Sequence, residues 1–244
     1  GEVFVELCER VTRDVRETKD RISDMESEAS ARISVGSTQG LFSHFYQGWA
    51  RQEGLAERLQ LNLKATNWVG EQFLDALDSG ECDLVLCYWH EDLPWKDHLS
   101  EDRYEWVTLA REFLVPVSVA DENGQPRFAL PGTPEQPVPL IAYHSRGFLQ
   151  SAIEGHLNRC KLPANLLPLN ENTQSAGIKA LVKQGFGMGW LPQRMTEKSE
   201  RFGSLTRAGD KRCDVPLEIR LIRLREPRSD DLLTLWKTLE NKHV

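Results

Sequence analysis

At 244 residues, 40% hydrophobic and 27% charged, the chain is long enough to bury a substantial core and too apolar to be disordered. Its longest apolar runs, Leu84 to Trp89 and Phe113 to Ala120, are far too short to cross a bilayer. A net charge of −7 argues against a broad grip on nucleic-acid phosphates. The five cysteines, Cys8, Cys82, Cys87, Cys160 and Cys213, are odd in number and form no CxxC pair. They fit neither a disulfide framework nor a zinc site, and they point to a reducing, cytoplasmic compartment. No segment has the pattern of a signal peptide.

The chain begins with a heptad seam. Phe4, Cys8, Val11, Val15, Thr18, Ile22 and Met25 follow at alternating spacings of four and three, which places one stripe on one face of a helix. Charged residues such as Glu6, Arg13, Asp14 and Arg16 surround it. The expectation is an exposed dimerisation helix over 1–29, against the plainer alternative of an amphipathic helix lying on its own domain.

After residue 30 the pattern becomes strand–helix alternation. Arg32 to Val35 predicts a strand, and Gly36 to Gly40 a turn opening a helix from Leu41 to Gln52. Leu59 to Ala65 alternates as a strand and leads through Thr66, Asn67 and Trp68 to a helix, Val69 to Asp78, stopping near Gly80. Asp83 to Trp89 is apolar throughout, as a strand covered on both faces is. Tyr104 to Ala120 is extended sequence broken by Pro116, and four prolines make Pro131 to Pro139 a loop. The alternation then restarts with a strand at Leu140 to Tyr143 and a helix from His144-Ser145-Arg146 to Cys160. A strand at Leu166 to Leu169 and a helix opened by Asn170 to Thr173 follow. Phe186 to Leu191 predicts a tight glycine-rich strand closed by Pro192, Pro216 to Leu224 a return strand, and Leu232 to Leu239 a terminal helix. Two α/β units and a late return strand predict two lobes, with the chain crossing between them twice.

In this order the pieces resemble the LysR-type transcriptional regulators. Gly1-Glu2-Val3-Phe4 before a long helix is similar to the junction after that family's winged helix-turn-helix. Arg32 to Gly36 resembles its first sheet strand, Leu74 to Leu86 its leucine–glycine–aspartate approach to a strand, Glu112 to Val117 its first crossover, and Leu181 to Pro192 its glycine-rich strand. Trp89 to Leu93 and Pro116 to Gly124 look like the subgroup containing hypochlorite-responsive regulators. The methionine-oxidation signal associated with that subgroup is not carried over, because Met25, Met188 and Met195 fall in no segment that reads as an exposed sensor. The resemblance implies an α/β, two-lobed, type 2 periplasmic-binding-protein-like fold, each lobe a mainly parallel sheet flanked by helices. It implies a linker helix over 1–29, one subdomain of 30–115 plus 206–244, a second of 116–205, and a DNA-binding winged helix-turn-helix absent from this chain. It also implies a small-molecule inducer in the cleft, a homodimer or homotetramer, and DNA bound through the missing domain.

Ligands of open parallel sheets sit beyond the carboxyl ends of the strands, where helix starts offer free N–H groups to an anion. That selects Ser37, Thr38 and Gln39 at the first turn and Thr66, Asn67 and Trp68 at the second. Trp89 and His90 end the third strand. Tyr143, His144, Ser145 and Arg146 form the matching turn of the second lobe, and Asn172 and Thr173 mark a later helix start. Arg146 suits a two-pronged clamp on a carboxylate, which favours an anionic ligand. Each has a plain structural reading beside it: Ser37 and Thr66 as N-caps, Trp89 as core, His90 as a hydrogen-bonded loop residue, Arg146 as a surface ion pair. Glu91-Asp92 and Asp230-Asp231 read as solvated loop charges. No Walker loop, GxGxxG, HExxH or GxSxG elbow is present, so neither an enzyme, a cofactor nor a metal is expected. The alternative function is a periplasmic solute-binding protein of the same fold, which would need no leading heptad helix.

Overall fold

The computed structural model describes residues 32–62, 70–144 and 148–243; the heptad seam lies outside the described residues. Three parallel strands open the fold: β1 (Ile33–Ser37) lies between β2 (Leu59–Asn62) and β3 (Leu84–Trp89). Two long strands continue that sheet in antiparallel fashion, β9 (Val215–Leu224) beside β3 and β4 (Tyr104–Ser118) beside β9. Far along β4 the partner changes. Leu114 to Val117 pair with β7 (Gly189–Pro192), and Val117 and Ser118 with β8 (Thr206–Arg207). A second parallel pair, β5 (Val138–Tyr143) and β6 (Leu166–Asn172), joins the sheet through Met188, whose backbone bonds Pro139 and Ile141 at 2.8 Å each. The first lobe is thus built on β1, β2, β3 and β9 and the second on β5, β6 and β7, with β4 running from the first into the second. The parallel pairs are as expected; the crossover strands make the sheet mixed.

Both faces of the first lobe's sheet are covered, which is why β3 reads LVLCYW without alternation. Phe73, Leu74 and Leu77 of α3 (Gln72–Ser79) pack on Val85, Cys87 and Ile222 on one face. Trp49 of α2 (Gln47–Gln52) and Trp236 of α7 (Asp230–His243) join Leu84, Leu86 and Leu221 on the other. Gly80 ends α3 in the left-handed region, φ 79°, the conformation that glycine adopts at no steric cost. Leu140, Ile153 and Trp190 belong to the same cluster as Trp49 and Trp236, so one continuous core spans both lobes.

Four expectations are corrected. Pro116 does not break the strand: β4 runs for 15 residues through it. The carbonyl of Pro116 accepts from Ala208 at 2.9 Å, and its missing N–H lies on that same side, beyond the end of the β9 ladder. The helix after β1 is not regular; α1 (Gln39–Leu41) passes into a π-helical turn, Phe42–Tyr46, before α2. Strand β6 continues through Asn172, and the following helix, α5 (Ser175–Lys183), starts later than Asn170 to Thr173 predicted. Finally, Pro192 is paired within β7, and α6 (Gln193–Arg201) follows where no helix was predicted. In that helix Met195 is the sole apolar residue of QRMTEKSER; Thr196 and Ser199 complete its buried face, so the usual hydrophobic periodicity is missing.

Candidate ligand cleft

The strand ends expected to line the cleft are arranged by local hydrogen bonding. Ser37, the last residue of β1, is fully buried, and its hydroxyl donates to the Leu86 carbonyl at 3.0 Å. A hydroxyl committed in this way ties two strands together and is not poised as a nucleophile. Thr38 caps α1 by accepting from the Leu41 N–H at 3.4 Å, and Gln39 is exposed. The π turn that follows carries Phe45, stacked on Trp49 with ring centres 6.3 Å apart. Its other neighbour is Arg194 of α6, whose guanidinium lies 5.3 Å from the Phe45 ring centre. Such turns recur at functional sites; here the turn reaches a helix of the other lobe.

At the end of β3, Trp89 receives the Arg220 guanidinium 3.6 Å from its ring centre, and Glu218 holds that arginine at 2.7 Å. One face of the expected aromatic wall is therefore occupied by a cation. His90 is 4% exposed, and its Nδ1 accepts from the Asp92 N–H at 3.1 Å. Burial lowers the His90 pKa, partly opposed by Asp92. Glu91 and Asp92, expected as solvated charges, instead both pair with Arg159 near the end of α4 (Phe148–Arg159), Glu91 at 2.9 Å. A loop of the first lobe is thereby clasped to a helix of the second.

In the second lobe, the Tyr143 hydroxyl shares a hydrogen bond with Ser175 at 2.8 Å, and burial pushes its pKa up. The His144 N–H donates to the Asn172 carbonyl at 3.1 Å, and the Asn172 side chain accepts from the Gln174 N–H at 2.8 Å. Thr173 is exposed. Thr66, Asn67, Trp68, Ser145 and Arg146 lie outside the described residues.

Three residues that sequence reasoning missed sit where the lobes meet. Glu112, on β4 just before the strand changes partners, is 4% exposed. One carboxylate oxygen accepts from the Phe113 N–H at 2.9 Å; the other lies 3.0 Å from Arg194 Nε, an ionic contact without hydrogen-bond alignment. Burial raises the Glu112 pKa, opposed by the Phe113 N–H and by Arg194. Tyr88, also buried, packs on Phe148 with ring centres 6.5 Å apart, and desolvation raises its hydroxyl, reinforced by Glu112 and Tyr143. The available signal was a carboxylate interrupting the apolar run of β4 and an arginine just after Pro192. Tyr88, Glu112 and Tyr143 are buried at the crossover, and the exposed Arg194 reaches Glu112 from its edge: two hydroxyls, a carboxylate, and a cation partnered by that carboxylate. Among the described residues no cluster of His, Cys, Asp and Glu could hold a metal ion, and no helix is long and apolar enough to cross a membrane.

Comparison with known proteins decides the family. The model for the LysR substrate binding domain matches residues 26–243. The chain belongs to this family. As a LysR regulatory domain it is similar to the HTH-type transcriptional regulator YjiE of Escherichia coli (strain K12), 22% identical over 175 residues, which are 71% of this chain. The match covers 54% of YjiE, so the chain spans about half the length of that relative. The regulatory domain of HypT from Salmonella typhimurium, in its apo form, superposes with a TM-score of 0.71 at 21% identity, covering 88% of this chain and 96% of that one. Vibrio fischeri DarR, solved in complex with DNA, superposes with a TM-score of 0.74 at 19% identity, over 99% of this chain and 78% of DarR. These likenesses establish the two-lobed fold, and the LysR match gives the solute-binding alternative no support.

Proposed function

We propose that this LysR regulatory domain senses a small anionic molecule in the cleft between its lobes and passes the signal, through a homodimer or homotetramer, to DNA-binding heads outside this chain. The protein works in the cytoplasm as a binding protein, without a cofactor and without catalysis. The proposed division is 30–115 plus 206–244 against 116–205, with the return boundary moved toward Val215 because β8 pairs with the end of β4.

The observation that carries this reading is the Glu112–Arg194 pair at the crossover. A carboxylate ligand entering there competes with Glu112 for Arg194. Burial already raises the Glu112 pKa, and removing Arg194 removes one of the groups that oppose that rise. Arg194 also lies over Phe45, so exchanging its partner shifts α6 against the π turn and hence one lobe against the other. A ligand moves such an equilibrium only by its differential affinity for the two arrangements. Thr38, His144 and Arg146 are the further proposed contacts, with Ser37 holding the first turn in place from beneath. Met188 and Met195 are buried, which favours ligand binding over methionine oxidation as the signal.

The test is a thermal-shift screen of this chain against a library rich in carboxylates, with Arg194→Ala and Arg146→Ala beside it. A ligand at a hundred times its dissociation constant adds about 2.7 kcal/mol to the folded form. A hit lost in both variants supports the reading; a hit indifferent to both places the anion elsewhere.

A further inference from the structure

Beneath α4, between that helix and the β5–β6 ladder, the second lobe holds a cavity of about 150 Å³. Leu140 and Ala142 of β5, Ile153 and Leu157 of α4, Leu166 of β6 and Trp190 of β7 form its walls. The polar groups that reach it are already engaged: the Tyr143 hydroxyl with Ser175, and the Trp190 indole N–H with the Cys213 carbonyl at 2.9 Å. Water therefore finds few partners inside. An apolar cavity of about 150 Å³ in another protein stays dry and takes up benzene. The mouth is different in character. Gln150 donates to Glu154 at 2.8 Å across it, leaving a carboxylate at the edge of an apolar chamber. Of the crossover cluster Tyr143 lines it, with its hydroxyl turned to Ser175; Tyr88, Glu112 and Arg194 do not, nor do Ser37 and His90, so the chamber adjoins that cluster and is otherwise walled by residues of its own.

We propose that this cavity is a second ligand site, which takes a single-ring aromatic molecule carrying a cationic or hydrogen-bond-donating group. The ring fills the chamber, and the donor replaces Gln150 as the partner of Glu154. The occupant presses on α4, the helix whose Arg159 holds Glu91 and Asp92 of the first lobe, so it bears on the same interlobe clasp from the opposite side.

The experiment is a methyl-NMR titration of this chain with benzylamine and, separately, benzoate. Saturable shifts at the methyls of Leu140, Ile153 and Leu157 are expected with benzylamine, at an affinity about two- to fivefold above that for benzoate, as an exposed charge contributes. Glu154→Gln removes the preference while ring binding persists, and Ala142→Leu, which fills the chamber, abolishes the shifts. Should Ala142→Leu fail to fold, Ile153→Phe fills the same space. Absence of saturable shifts at these methyls with either probe overturns the site. So do shifts that survive the filling variants, and so do shifts centred on Tyr88 and Phe148. Equal affinity for the two probes overturns the role of Glu154.

Discussion

Gly155 offers the most direct test of the clasp between the lobes. A Cβ added there would lie 2.1 Å from Asp92 Oδ2 and 2.6 Å from Cγ, so an alanine and the present position of that carboxylate exclude each other. Two terms then compete in Gly155→Ala. Within the interior of α4 the change removes the glycine penalty, worth about 0.8–1 kcal/mol. Displacing Asp92 from Arg159 costs an ion pair whose side chains are 30% and 41% exposed, hence at most about 1 kcal/mol. The net change in the wild-type background is close to zero. In an Asp92→Ala background the clash and the pair are both gone, and Gly155→Ala gains the full helix term. The expected coupling is therefore about 0.5–1 kcal/mol, read from urea unfolding of the four proteins of a double-mutant cycle. Additive effects, within about 0.3 kcal/mol, refute the packing of Asp92 on Gly155. The same cycle followed by small-angle scattering should show the lobes further apart in Gly155→Ala than in the parent chain.

Two other outcomes follow from burial. Burial raises the Cys82 and Cys87 thiols to about 12, whereas Cys160 is exposed; of the cysteines in the described residues, Cys160 alone should react promptly with a thiol reagent at pH 8. Labelling of Cys87 in the native protein as fast as in urea would contradict that. The folded-state pKa of His90 lies below its ordinary 6.5, so the folded chain binds fewer protons than the unfolded one just below that value. Stability from this site is full above about pH 6.5 and declines as pH falls through the ordinary value toward the lowered one. The stability difference between wild type and His90→Gln should shrink over that interval, and a difference constant with pH would remove His90 from the account.

Much of the fold is legible because it depends on local pattern. Strand β3 is apolar along its length because helices cover both faces of its sheet, and alternation of strands and helices implies a parallel arrangement. The glycine at position 80 and the polar turns mark element ends for reasons internal to each segment. What the sequence did not reveal depends on contacts distant along the chain. Helix α6 has the composition of a surface loop and becomes a helix because Met195, Thr196 and Ser199 find cover against the sheet. Pro116 reads as a breaker, yet it fits where the β9 ladder ends.

The same division holds for the cleft. Strand ends and helix starts could be named in advance because the carboxyl ends of parallel strands must leave backbone groups unpaired. The family resemblance rests on motif order and is likewise a property of the sequence. Only the tertiary structure brings Glu112 to Arg194 across 82 residues, turns one face of Trp89 to Arg220, and makes Glu91 and Asp92 partners of Arg159 rather than solvated charges. The sequence determines periodicity and hence the elements; a charge acquires its partner and its pKa only when the lobes close around it, because both depend on neighbours far along the chain and on exclusion of water.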